Sequence, residues 1–205
     1  EPKAYYGPTP WEDVLRDFPD LDVMAVSTPD HLHTPVILAA LENGTHVITE
    51  KPMCLNMQEA DQIIEAANAK DLVVGVDMHK RYDPDHLRVR DDISERIGDP
   101  VYGLAVLEEP LEVSTSTFKW VEDSDPFSYV GPHWTDLFWH YYQSKPVALS
   151  AVGQKKRLIR DGIDAYDAVQ VRVDYANGMS VHYHNNWINP DDFTTTKFYF
   201  FTVSC

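Results

Sequence analysis

Residues 22–52, DVMAVSTPDHLHTPVILAALENGTHVITEKP, decide the fold. DVMAVST (22–28) is an apolar run between polar flanks, which predicts a strand buried on both faces. A helical stretch follows from about residue 35 to residue 42 and stops at Asn43 and Gly44; HVIT (46–49) is the next short apolar run. Strand, helix and strand in this order imply a parallel pair joined by a right-handed crossover. The second run ends in Glu50 and Lys51, which are adjacent on a strand, point to opposite faces and so cannot pair with each other.

The pattern extends in both directions. Upstream, TPWE (9–12) reads as a capping box with proline at the first helical position, opening a helix to about residue 18. Downstream, Asn56 with Glu59 three residues on caps a helix to about residue 70, and LVVGV (72–76) is a third strand. In parallel sheets, ligands bind beyond the carboxyl ends of the strands. The three tips here are STPDHLH (27–33), TEKP (49–52) and VDMHKR (76–81), and they hold most of this half's polar residues of interest.

The second half changes character. A helix over 84–97 closes at Gly98, and VYGLAVLEE (101–109) reads as a strand. GPHWTDLFWHYY (131–142) predicts an amphipathic helix starting at about His133. VALSAVGQKKRL (147–158), a hairpin over 167–187 turning at Ala-Asn-Gly, and KFYFFTVS (197–204) read as strands. The expected fold class is therefore α/β: a partial Rossmann-type parallel sheet over 1–82, followed over 83–205 by an α+β domain with an open, mostly antiparallel sheet.

Composition narrows the function classes. Thirty-three acidic against seventeen basic residues give a formal charge of −16, which disfavours nucleic acid as a partner. An apolar fraction of 43% fits a packed globular chain. No apolar run approaches the roughly 20 residues of a membrane helix, and no signal peptide is read. Two cysteines, Cys54 and Cys205, are too few for a disulfide scaffold, so a reducing cytoplasm is expected. His182 and His184 alternate on one strand, but no third ligand has convincing spacing, and no metal is expected.

TPxxxH (28–33), GxHVxxEKP (44–52) and RYDP (81–84), at these spacings, resemble the glucose-fructose oxidoreductase/inositol dehydrogenase family, Gfo/Idh/MocA. The resemblance runs from about Tyr5 past Pro84, and more loosely through GPHWTD and the DYANG hairpin. It implies an NAD- or NADP-dependent oxidoreductase moving a hydride between nicotinamide and a hydroxyl carbon of a sugar, cyclitol or related polyol. It also implies a homo-oligomer, a dimer or tetramer, formed through the C-terminal sheet. By the same resemblance the chain is truncated at both ends. The first βαβ unit with its G-x-G-x-x-G turn has no counterpart here, and the last strands are missing.

The site residues follow from that resemblance. Lys51 is implied as the catalytic residue near nicotinamide and substrate; its ammonium can stabilise negative charge developing on an alcohol oxygen. Thr28, Pro29, His33, Glu50, Pro52 and Arg81 are implied on the cofactor side together with Lys51, and the bond before Pro52 is expected to be cis. His133 is the second catalytic candidate, since its ordinary pKa suits proton exchange near neutral pH. Asp136 lies three residues on, on the same helix face, and it and Tyr129 are implied at the substrate. Tyr129 stands where the family commonly carries an aspartate, so His133's acid partner is either absent or supplied by Asp123, Asp125 or Asp136. Trp120, Trp134, Trp139 and Trp187 include candidates for stacking on a sugar ring, although core packing explains aromatic residues as well. Two alternatives remain: a redox-inactive member acting as a sugar or nucleotide sensor or assembly subunit, and an NAD-dependent glycosidase.

Overall fold

The computed structural model describes residues 3–190 and, as backbone, 197–203; Cys205 lies outside the described residues. Two compact units, 1–77 and 78–205, meet in sequence at Asp77 and Met78.

The first unit is a parallel sheet in the order β1 (Val23–Val26), β2 (His46–Thr49), β3 (Val74–Val76). Helix α1 (Pro10–Asp17) precedes it, and α2 (His33–Glu42) and α3 (Met57–Ala69) form the crossovers. Asn56 caps α3 as the sequence predicts, its side chain accepting from Glu59 N at 2.9 Å. At α1 the capping box is incomplete: the Thr9 hydroxyl donates to the Glu12 carboxylate instead of accepting a backbone N–H.

β1 is not buried on both faces. Met24, Val26 and Val47 turn towards Val36, Ile37, Leu41 and Ile63 of α2 and α3, while Val23 remains 51% and Ile48 48% exposed. The reason is topological. With strands in sequential order, two right-handed crossovers place both helices on the same side of the sheet.

The second unit is a five-stranded sheet in the order β5 (Pro146–Gln154), β6 (Ala168–Tyr175), β7 (Ser180–Asn189), β4 (Tyr102–Pro110), β8 (Lys197–Val203). β4 runs parallel to β7; the other pairings are antiparallel. Helix α4 (Pro84–Asp92) continues as a π-helical turn, Ile93–Ile97, to Gly98 at φ 83°, so the predicted stop holds.

The long helix α5 (Pro126–Tyr142) packs Val130, Trp134, Leu137 and Phe138 against Ala105, Val181 and Tyr183 of the sheet. It begins seven residues before His133, the expected start. Asp125 caps it, accepting from Phe127 N and Ser128 N, and Pro126 occupies its first turn. Pro132 lies inside the helix, where it removes only the amide that would bond the Ser128 carbonyl. Gly131 is required here, because a Cβ would sit 2.6 Å from the Phe127 ring.

The strand predicted over 147–158 ends at Gln154. A single helical turn, α6 (Arg157–Arg160), follows, because the Asp167 carboxylate accepts from the amides of Lys156, Arg157 and Leu158.

Candidate functional site

In the first unit the polar residues gather at the carboxyl ends of the strands. Glu50 N bonds to Val26 O at 2.9 Å and Asp77 N to Thr49 O at 2.8 Å, so the tips after β1, β2 and β3 lie side by side. Lys51 sits at the centre of this edge, only 8% exposed, and the Lys51–Pro52 bond is cis as expected. The Glu50 carboxylate turns back to accept from Lys51 N at 3.3 Å.

His33 opens α2 and is 1% exposed. Its Nδ1 lies 2.6 Å from Pro52 O and its Nε2 2.8 Å from Thr28 O. Both ring nitrogens therefore face protein backbone. Thr28 and Pro29 are half-buried, and the Thr28 hydroxyl is buried with no hydrogen-bond partner among the described residues. Glu59 anchors the other end of the Lys51 loop, accepting from Leu55 N at 3.1 Å and from the Thr34 hydroxyl at 3.0 Å. That Thr34–Glu59 link between α2 and α3 has no signature in the sequence beyond the capping role of Glu59.

The second unit also contains a polar cluster. Arg81 reaches Asp136 in a two-pronged pair, Nε to Oδ2 at 2.7 Å and Nη2 to Oδ1. The Asp136 side chain is 11% exposed, and the hydrogen bond to its carboxylate pushes the Arg81 pKa further up. The His79 ring meets the His133 ring edge-on, with centroids 5.2 Å apart. His133 lies in the interior of α5, three residues before Asp136 on the same face. His79 belongs to the VDMHKR tip, and its position there was the only sequence signal for its role.

Of the aspartates considered as partners of His133, Asp136 is engaged by Arg81 and Asp125 caps α5. Tyr129 packs edge-on against Phe118 and Trp120, at 4.9 and 5.9 Å between centroids. Trp134 and Trp187 are core residues, and Trp120 stacks on Phe118. Trp139 borders a mainly apolar groove of about 620 Å³ beside Leu149, Val171 and Tyr175, with Thr135, Ser144 and Tyr166 also in its lining. Among the described residues no group of three or more His, Cys, Asp or Glu is placed to hold a metal ion. No helix among them is long and apolar enough to cross a membrane.

Residues 4–78 match the oxidoreductase family with an NAD-binding Rossmann fold, and residues 88–201 match the GFO/IDH/MocA C-terminal domain. The chain belongs to the Gfo/Idh/MocA family. Among curated relatives, 1,5-anhydro-D-fructose reductase of Ensifer adhaerens is 38% identical over 91 residues, 44% of this chain and 27% of that protein. The NADP(+)-dependent scyllo-inositol 2-dehydrogenase IolW of Bacillus subtilis is 33% identical over 99 residues, 41% of this chain and 28% of the relative.

Among solved structures, an inositol dehydrogenase homolog of Azotobacter vinelandii, complexed with NADH and myo-inositol, superposes with TM-score 0.84 at 19% identity. That match covers 95% of this chain and 52% of the other. At such identity the likeness concerns the fold. The chain thus spans about half the length of that structure and about a quarter of the length of the two curated relatives.

Proposed function

We propose that this chain serves NAD(P)-dependent oxidation or reduction at a hydroxyl carbon of a sugar or cyclitol, with Lys51 as the catalytic residue. The observation that carries the reading is a lysine buried at the carboxyl end of β2 in a Gfo/Idh/MocA chain. A sequestered ammonium donates strongly to an alcohol oxygen, stabilises the negative charge that grows there and lowers the barrier to losing the hydroxyl proton. The nicotinamide, when bound, accepts or returns the hydride. Thr28 supports this reading, since its buried hydroxyl has capacity left for a ligand at the same strand edge. Glu50 and the Pro52 turn complete the cofactor side that we assign to the first unit. In the second unit we assign proton exchange to His133, with Arg81 and Asp136 fixing the turn and helix that carry His79 and His133. The reductase and dehydrogenase names of the relatives support a sugar or cyclitol as the substrate class.

The test is a screen of the purified protein with NAD and NADP against cyclitols and aldose- or ketose-derived polyols, read by nicotinamide absorbance. Turnover with at least one polyol is expected. Lys51→Ala should then lower kcat by about 10²–10³-fold while changing dinucleotide affinity far less. Unchanged turnover in that variant removes Lys51 from catalysis. Dinucleotide binding without turnover on any polyol favours a sensor instead.

A further inference from the structure

We infer that His33 is a positioning residue for Lys51, holding the lysine in place by clamping the backbone at both neighbouring strand tips. The inference rests on the catalytic reading of Lys51 but makes a separate claim. The family resemblance implies His33 on the cofactor side, whereas the ring turns inward to the backbone. With 1% exposure and backbone carbonyls opposite both nitrogens, the imidazole has no polar atom left to offer.

Carbonyl oxygens only accept, so each bond made here is donated by a ring N–H; a neutral ring donates one of the two, and both are made at once only when both nitrogens carry a proton. One contact is to Thr28 O, two residues beyond β1; the other is to Pro52 O, the residue directly after Lys51. A single rigid ring therefore lies between the ends of two adjacent strands, β1 and β2, and meets the Pro52–Met53 peptide, one residue beyond the Cα from which the Lys51 side chain departs. The remainder of the loop is fixed independently, since Glu59 holds Leu55 N and Asn56 caps α3. Besides the Glu50 carboxylate on Lys51 N, His33 is the anchor nearest to the lysine, ahead of Glu59 and Asn56. A displacement of order 1 Å at a catalytic group costs about a hundredfold in rate, so a residue that fixes the group is visible in kcat.

The experiment compares His33→Phe, which keeps a ring and loses both ring nitrogens, with His33→Gln, which keeps a donor. Lysines are reductively methylated with ¹³C-formaldehyde, and the Lys51 resonance is assigned by its loss in Lys51→Arg. In His33→Phe the Lys51 signal should shift or broaden, and kcat should fall by about tenfold to a hundredfold with little change in dinucleotide KM. His33→Gln should recover part of both, and it decides the question if His33→Phe does not fold. An unmoved Lys51 resonance overturns the inference whatever the activity. A moved resonance with full turnover also overturns it, provided Lys51→Ala is inactive. Should Lys51→Ala retain full activity, the catalytic reading falls, and the resonance alone judges whether His33 holds the lysine.

Discussion

The two units build their polar clusters in opposite ways. In the first, Lys51 is surrounded by contacts to the backbone: His33 to two carbonyls, Glu59 to the Leu55 amide, Asn56 to the Glu59 amide. In the second, the turn bearing His79 and the helix bearing His133 are joined by side chains, above all Arg81 to Asp136 across 55 residues of sequence. Backbone anchors tolerate changes in the anchored residue, because every residue has the same carbonyl and all but proline the same N–H. A side-chain pair depends on the identity of both partners, and losing either strands the other.

The sharpest way to break this contrast is Arg81→Met. It leaves the Asp136 carboxylate largely buried without its guanidinium, and a loss of about 1–3 kcal/mol is expected, reduced from the fully buried case because Arg81 itself is partly exposed. Urea denaturation would show it as a lower midpoint at unchanged slope. Asp136→Asn should cost less, since the amide keeps the shape and an acceptor for Arg81. No change in the Arg81→Met midpoint would mean that apolar packing, not the pair, holds the turn to α5.

Asn56→Ala probes the first unit and should cost about 1 kcal/mol, as for other helix caps. Hydrogen exchange at the Glu59 amide should quicken, with little effect on Val47 in the core. Full protection of Glu59 would show that the Lys51 loop is held without its cap.

The smallest expected effect sharpens the description of the second unit. His86 bonds the Tyr141 hydroxyl at 2.7 Å, and burial is the main cause that lowers its pKa, with Lys80 assisting and Asp83 and Asp85 opposing. Burial likewise lowers His140, helped by Arg81 and Arg90 and opposed by Asp136. A lowered folded-state pKa means that the unfolded chain takes up the proton first. Stability should therefore be complete above the ordinary histidine pKa of about 6.5 and fall as the pH drops below it. Thermal midpoints on the two sides of that value would show the slope, and His86→Gln should flatten it. An unaltered slope in that variant would assign the proton uptake elsewhere.

Much of the fold was legible in residues 22–52. Apolar runs of strand length separated by a helix that Asn43-Gly44 terminates imply parallel strands with right-handed crossovers, and the structure sets them in the order β1-β2-β3. The start of α5 was misread because Gly131-Pro132 looks like a helix opening; the Asp125-Pro126 pair, a better signal, lies before a stretch that reads as loop. α6 had no local signal at all, since the residue that caps it, Asp167, comes after it in the chain.

The sequence by itself determined which residue types stand at the strand tips, because strand length and helix caps are local properties. It also determined that Lys51 closely follows β2 and that His133 and Asp136 share a helix face. Only the tertiary structure decided what those side chains meet. That His33 turns inward to two carbonyls, that Arg81 is committed to Asp136, and that β1 is covered on one side alone are consequences of packing between segments far apart in sequence. Periodicity and capping act over a few residues, whereas such contacts are set by how sheets and helices come together.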